Sequence, residues 1–218
     1  RSGTRNITKS GSGILQMFRC VISDCAKAEQ GVGIYLSGGE NLFDSCQFKN
    51  LKYSSHDCAG AALYVTAAKK MALKNCVFEK NGDFDSHYAR DGHGGIAVYS
   101  FDAPVIADGC KFIGNVERVK VGSSVPPKDE GEYKRLFRSA GCVTLHGSCS
   151  DSAFTNCLWL GNCSSHCNYE NSMAGVCKVG TSTNSAAVVV SLKNASDTVD
   201  FANCTFAYNM SDSALSST

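Results

Sequence analysis

The side chains with the most chemical reach in this sequence are its thirteen cysteines among 218 residues. Thiols pair, bind metals and attack electrophiles, so their spacing decides which reading applies. Cys163-Ser164-Ser165-His166-Cys167 followed by Cys177 offers three thiolates and an imidazole, a donor set that suits tetrahedral zinc. The spacing follows no strong zinc template, and the segment is rich in serine and asparagine. A loop disulfide drawn from Cys163, Cys167 and Cys177 is the better expectation, since it would brace a stretch with little core. Asp91-Gly92-His93-Gly94 places a carboxylate and an imidazole on a glycine-rich stretch, the residue types of general acid–base catalysis. The simpler reading is a loop that re-enters a strand through glycines. The expectation is no catalytic residue, no bound metal and no cofactor.

Composition narrows the classes. The net charge is +1, so no electrostatic argument favours nucleic acid or an anionic membrane surface. Hydrophobic residues make up 43% of the chain, enough for a core. No apolar run reaches the roughly 20 residues that span a bilayer, and no signal peptide is recognisable. No phosphate-binding glycine loop, Ser-His-Asp order or basic-aromatic patch stands out. The sequence starts inside a polar stretch and stops after a clear repeat. It reads as one domain over 1–218, a fragment of a longer chain or a processed product.

Positioning any of these side chains falls to an internal repeat. Six cysteines recur with an apolar residue on either side: Met17-Phe18-Arg19-Cys20-Val21-Ile22, Phe43-Asp44-Ser45-Cys46-Gln47-Phe48, Leu73-Lys74-Asn75-Cys76-Val77-Phe78, Ala107-Asp108-Gly109-Cys110-Lys111-Phe112, Phe154-Thr155-Asn156-Cys157-Leu158-Trp159 and Phe201-Ala202-Asn203-Cys204-Thr205-Phe206. Five residues past the cysteine stand Asn81, Asn115, Asn162 and Asn209; the second copy has Asn50 one position early, and the first has Cys25. A second motif alternates with the first, two small residues and then apolar, any, apolar. It is centred on Ile34, Leu63, Ile96, Val143 and Val188.

From this second motif to the next cysteine the gaps are 12, 13, 14, 14 and 16 residues. From each cysteine to the following motif they are 14, 17, 20, 33 and 31. One half of the repeat is nearly fixed, and the other absorbs the insertions, notably 116–139 and 163–185. Coils whose rungs stack in register behave this way. Val199 and Phe201 share one phase of a period-two pattern, whereas Cys204 and Phe206 share the other. A bend therefore lies between 201 and 204, at the positions of Asn75, Gly109, Asn156 and Asn203, residues that tolerate a left-handed backbone. The expected architecture is all-β: a parallel coil of about five to six three-stranded rungs, with long loops at one corner. Cys20, Cys46, Cys76, Cys110, Cys157 and Cys204 would form an inward column. Rungs lie about 4.8 Å apart, with Cβ atoms pointing the same way, a poor geometry for disulfides. These six are expected to be free thiols acting as small apolar residues.

These positions resemble the right-handed β-helix repeats of bacterial and protist surface proteins, especially the polymorphic outer-membrane proteins. That family's repeat carries a Gly-Gly-Ala-Ile-like strand and a Phe-x-x-Asn turn. The matches here are Gly94-Gly95-Ile96, Phe78 to Asn81, Phe112 to Asn115 and Phe206 to Asn209, with Trp159 to Asn162 a near match. The resemblance covers about 10–212; Phe48-Lys49-Asn50 departs from it, and the Gly-Gly pair is complete once. It implies a right-handed parallel β-helix and a place at the cell surface.

Many β-helices of this hand are polysaccharide lyases or hydrolases, and Gly92-His93-Gly94 is similar to the Gly-His-Gly of polygalacturonases. Glycoside hydrolysis needs two carboxylates astride the bond. The outward positions expected on the small-residue strand are Tyr35, Tyr64, Ala97, Thr144 and Val189, none of them a carboxylate or a base. Tyr35, Tyr64, Tyr99 and Thr144 form a possible ligand face instead, suited to stacking on sugars. Asn-x-Ser/Thr sequons fall at Asn6, Asn162, Asn194, Asn203 and Asn209. Asn203 is read as part of the inner bend stack, leaving Asn6, Asn162, Asn194 and Asn209 as candidate glycosylation sites. The leading expectation is a non-enzymatic extracellular or cell-surface rod. Its loops would bind other protein subunits or surface ligands, glycans among them, and not nucleic acid. The alternatives are a carbohydrate-active β-helix and a structural rod in an intracellular assembly.

Overall fold

The computed structural model describes residues 6–25, 31–52, 60–82, 96–120, 141–167 and 187–213. Within them the chain winds through six three-stranded rungs, and like strands of successive rungs pair in parallel. The first face holds β1 (Ile7–Ser10), β4 (Ile34–Ser37), β7 (Leu63–Thr66), β10 (Val98–Phe101), β14 (Val143–Gly147) and β18 (Val188–Leu192). The second holds β2 (Ile14–Phe18), β5 (Glu40–Asp44), β8 (Lys70–Lys74), β11 (Val105–Asp108), β15 (Ser152–Thr155) and β19 (Val199–Ala202). The third holds β3 (Val21–Ser23), β6 (Gln47–Lys49), β9 (Val77–Glu79), β12 (Lys111–Ile113), β16 (Leu158–Leu160) and β20 (Thr205–Ala207). This is the all-β parallel coil of three-stranded rungs that the repeat predicts.

Two left-handed residues five apart bracket every third-face strand. Arg19, Ser45, Asn75, Gly109, Asn156 and Asn203 open it, and Asp24, Asn50, Lys80, Gly114, Gly161 and Tyr208 close it, all with φ between 51° and 64°. For a residue with a Cβ this conformation costs roughly 1–2 kcal/mol, so the packing it permits must exceed that. The benefit is a short strand that turns both Cys and the following aromatic inward. Ile22, Phe48, Phe78, Phe112, Trp159 and Phe206 then form one column. Its rings stack with centroids 4.7, 5.0, 5.0 and 4.5 Å apart from Phe48 to Phe206. The bend side chains themselves point outward: Asn75, Asn156 and Asn203 are exposed, which corrects the expectation that Asn203 belongs to an inner stack. A left-handed residue sends its side chain away from the core while its neighbour Cys204 turns in.

The column of asparagines one residue beyond the closing corner runs unbroken from Asn81 to Asn209, buried as far as Asn162 and half-buried at Asn209. Each side-chain amide donates to the main-chain carbonyl of the preceding rung's aromatic, Asn81 to Phe48, Asn115 to Phe78, Asn162 to Phe112 and Asn209 to Trp159, at 2.9 to 3.0 Å. All but Asn209 also donate to the carbonyl oxygen of the next asparagine side chain, Asn81 to Asn115, Asn115 to Asn162 and Asn162 to Asn209, at 2.8 to 3.0 Å. That oxygen accepts the backbone N–H of the preceding asparagine as well. In the second rung the ladder position is Leu51, whose N–H reaches Asn81 Oδ1 at 3.1 Å, and Asn50 is the exposed corner residue.

Two expectations of register change. The fourth rung aligns Val98, not Ile96, with Leu63 and Val143. Ile96 and Val98 share a phase, so alternation alone cannot separate them. Choosing Val98 gives a 12-residue gap to Cys110, equal to that from Ile34 to Cys46. The segments after Asn115 and Asn162 also begin as strands rather than loops. β13 (Val116–Lys120), β17 (Cys163–Cys167) and β21 (Met210–Ser213) form a fourth parallel sheet. Ile7 starts a first-face strand that lacks the two-small-residue motif of the others.

Replacing Asn115 with leucine strands the Asn81 N–H and the Phe78 carbonyl in the core. A buried unpaired group costs about 1–3 kcal/mol, so Asn115→Leu is expected to lose roughly 2–4 kcal/mol in urea unfolding. Asn209→Leu, at a half-exposed rung, is expected to lose less.

Candidate functional site

The first face presents two outward columns. One runs Thr8, Tyr35, Tyr64, Tyr99, Thr144, Val189 and the other Ser10, Ser37, Thr66, Phe101, His146, Ser191. The register puts Tyr99 in the tyrosine column itself, where Ala97 was expected; Ala97 is buried. Tyr35, Tyr64 and Tyr99 stack at 5.2 Å between successive ring centroids, with interplanar angles of 6° and 16°. Stacking along the axis covers both faces of Tyr64 and turns ring edges outward. A sugar cannot lie flat on Tyr64, so the tyrosine column presents a row of edges rather than the stacking platform expected of it. Burial rises along this column: Thr8 is exposed, Tyr35 and Tyr64 are half-buried, and Tyr99 and Thr144 are buried. Thr144 Oγ1 is buried without a hydrogen-bond partner.

The second outward column holds the residue that sequence reading missed. His146, half-buried, stacks on the exposed Phe101 at 5.4 Å and 16°. It lies two residues past Thr144, so period two signals it once both outward positions of each strand are counted. The first face therefore does carry a base. Beside it, Asp102 Oδ1 accepts the Ser148 N–H at 2.7 Å. Asp91 and His93 lie outside the described residues.

The six column cysteines are free thiols. Cys46, Cys76, Cys157 and Cys204 donate to the carbonyl of the residue three before the previous rung's cysteine, Met17, Phe43, Ala107 and Phe154, at 3.3 to 3.7 Å. Cys142 and Cys149 are also buried thiols. Burial pushes the Cys46, Cys142, Cys149 and Cys204 thiols above their ordinary pKa. Hydrogen bonds with the Cys157 and Cys76 thiols, with burial added, push Cys110 up too. These are poor nucleophiles, held as packing groups.

The Cys163–Cys167 expectation changes with the backbone. Both lie on strand β17, which separates their α-carbons by about 13 Å. A disulfide needs less than 7 Å or so, and one zinc ion cannot span that gap. Cys58 and Cys177 lie outside the described residues. Among the described residues no three His, Cys, Asp or Glu side chains gather as metal ligands.

Of the sequons, Asn6 and Asn194 are exposed, and the Asn194 amide turns back to Asp197 at 3.2 Å. Asn162 is wholly buried, with Nδ2 bonded to Phe112 O and Asn209 Oδ1, so it is no acceptor in the folded chain. Asn209 is half-buried in the same ladder.

A column of parallel rungs with ladders of aromatics, thiols and asparagines defines a β-helix repeat protein. Residues 6–215 match the family model described as right handed beta helix region, and the chain belongs to that family. No curated protein and no solved structure matches it. Among the described residues no helix is long and apolar enough to cross a membrane.

Two outcomes follow. Cys142, whose thiol burial pushes up, keeps its proton in the folded chain where an unfolded thiol, with pKa about 8.5, loses it. The stability it contributes is therefore complete below that pH and falls above it, by up to about 1.4 kcal/mol per pH unit. Cys142→Ala is expected to flatten this alkaline slope in urea melts. Expression in a glycosylating host is expected to modify Asn194 and to leave Asn162 bare, as read by peptide mass mapping.

Proposed function

We propose that the protein is a non-enzymatic surface rod whose two long insertions carry recognition. The observation that supports this is the parallel pairing of β13 with β17, Val116 opposite Cys163. The segments that follow Asn115 and Asn162 therefore leave consecutive rungs at one corner, side by side on a rigid column. Loops displayed on such a scaffold are where binding residues concentrate. The likeness to polymorphic outer-membrane repeats points to an extracellular or cell-surface location, with protein subunits or glycans as ligands. The fold itself serves many functions, so the reading rests on loop placement.

His146 beside Phe101 favours one second reading, a carbohydrate-active β-helix. The buried thiols are compatible with a reducing compartment and with a rod inside a larger assembly.

The test replaces 121–140, and separately 168–186, with short glycine-serine links. Binding to fixed cells and to a glycan array is then measured beside thermal melting. The expected outcome is an unchanged melt and loss of at least tenfold in binding with one or both replacements. Binding indifferent to both would sink the proposal. Polysaccharide cleavage lost in His146→Ala would replace it with the enzymatic reading.

A further inference from the structure

The outward side chains of the second face form a self-complementary pattern. Its middle column holds Leu42, Ala72, Ile106 and Ala153, all apolar and half-buried. Charges flank this column in the second and third rungs. Glu40 and Lys70 stand on one side, Asp44 and Lys74 on the other, acidic in one rung and basic in the next. Lys70 and Lys74 are exposed, and Glu40 and Asp44 are half-buried. Lys69 reaches Glu40 Oε1 at 2.7 Å from the neighbouring corner. Neither corner beside these two strands carries an insertion: 38–39 and 67–69 make one, 45–46 and 75–76 the other.

Two sheets pack face to face about 10 Å apart. A second copy can be laid on this face about a two-fold axis that runs along the strands, between the second and third rungs. The coils then lie antiparallel and each column meets itself, the second rung opposite the third. Glu40 faces Lys70 of the second copy, Asp44 faces Lys74, and Leu42 faces Ala72, each pair occurring twice. A large side chain over a small one fills the middle without collision. One rung further out, Ile14 faces Pro104; Ile14 is 68% exposed, and the Met71 N–H bond to Pro104 O places Pro104 in the same column.

Charge excludes the competing placements. An axis through the second rung sets Glu40 on Glu40 and Asp44 on Asp44. One through the third sets Lys70 on Lys70 and Lys74 on Lys74. Parallel coils put Glu40 over Asp44 and Lys70 over Lys74. Like charges set opposite each other suppress such arrangements. An axis between the third and fourth rungs keeps one kind of ion pair, Lys74 with Asp108, in place of two.

We infer that this face is a docking site for a second copy of the chain, seated antiparallel about the axis between the second and third rungs. The contact is isologous and closes at a dimer. It stands apart from loop recognition, since neither insertion takes part. The matched patch covers about 19 Å by about 16 Å, well under the roughly 800 Å² per partner of a standard interface, so the dimer is weak and concentration-dependent.

Sedimentation equilibrium in reductant, where thiols cannot link copies, tests it, with circular dichroism confirming each fold. The native chain should move from monomer towards dimer between about 10 μM and about 1 mM. Glu40→Lys with Asp44→Lys makes all four positions basic, and Lys70→Glu with Lys74→Glu makes all four acidic. Each swapped chain alone should associate at least about tenfold more weakly, and an equal mixture of the two should recover the dimer. Lys74→Glu alone, at an exposed side chain, should also weaken association and carries the comparison if a doubly swapped chain does not fold. A native chain still monomeric at about 1 mM, association indifferent to the swaps, or swapped chains that do not recover the dimer on mixing would overturn the inference.

Discussion

Everything in this molecule depends on each rung repeating the last at one strand spacing. Parallel strands bind only their neighbours along the axis, so a side chain at a given position meets its own kind above and below. The consequence is selection by column rather than by residue. Aromatics meet aromatics at 4.7 to 5.0 Å from Phe48 to Trp159, thiols meet thiols, and amides join into a chain. Outward columns follow the same logic with charge. Lys69 reaches Glu40 at 2.7 Å and Lys49 reaches Glu79 at 3.7 Å, opposite signs on adjacent rungs.

The asparagine ladder and the left-handed corners divide the work. The corners make the turn possible and carry its conformational cost. The ladder satisfies the N–H and C=O groups that the turn takes out of strand pairing and hides from water. The thiol column sits between them, small enough for the inside of a corner and able to donate to a carbonyl. This explains why cysteine, common in secreted frameworks as a cross-link, is used here as a packing group. It also explains why length varies elsewhere: insertions between Asn115 and Gly141 or between Asn162 and Ala187 leave every column intact.

Much of this architecture was readable from the residues alone, because Cys, the aromatic two past it and the Asn five past it are rare enough to mark a period. The gap lengths then told fixed corner from free corner. What escaped was information that lives between rungs. Ile96 and Val98 fit the alternation equally, and pairing with Leu63 decides for Val98. Asn162 satisfies a sequon by sequence, yet its amide is committed to Phe112 and Asn209. Arg19, Lys80 and Tyr208 adopt the left-handed corner although their residue types give no sign of it. His146 went unnoticed because one outward position per strand was counted where each strand has two. Asp91, His93, Cys58 and Cys177 fall in segments where sequence remains the guide.

The amide ladder begins at Asn81, while the first two rungs carry Cys25 and Leu51 in its place. Stretched along its axis, a nearest-neighbour stack yields at its weakest interface. The two rungs without linked amides, of which the second is tied to the ladder only through the Leu51 N–H, form a more compliant stretch of the column than the four from Asn81 to Asn209. Tension along the axis would therefore extend these two rungs before it disturbed the corner from which the two long insertions emerge.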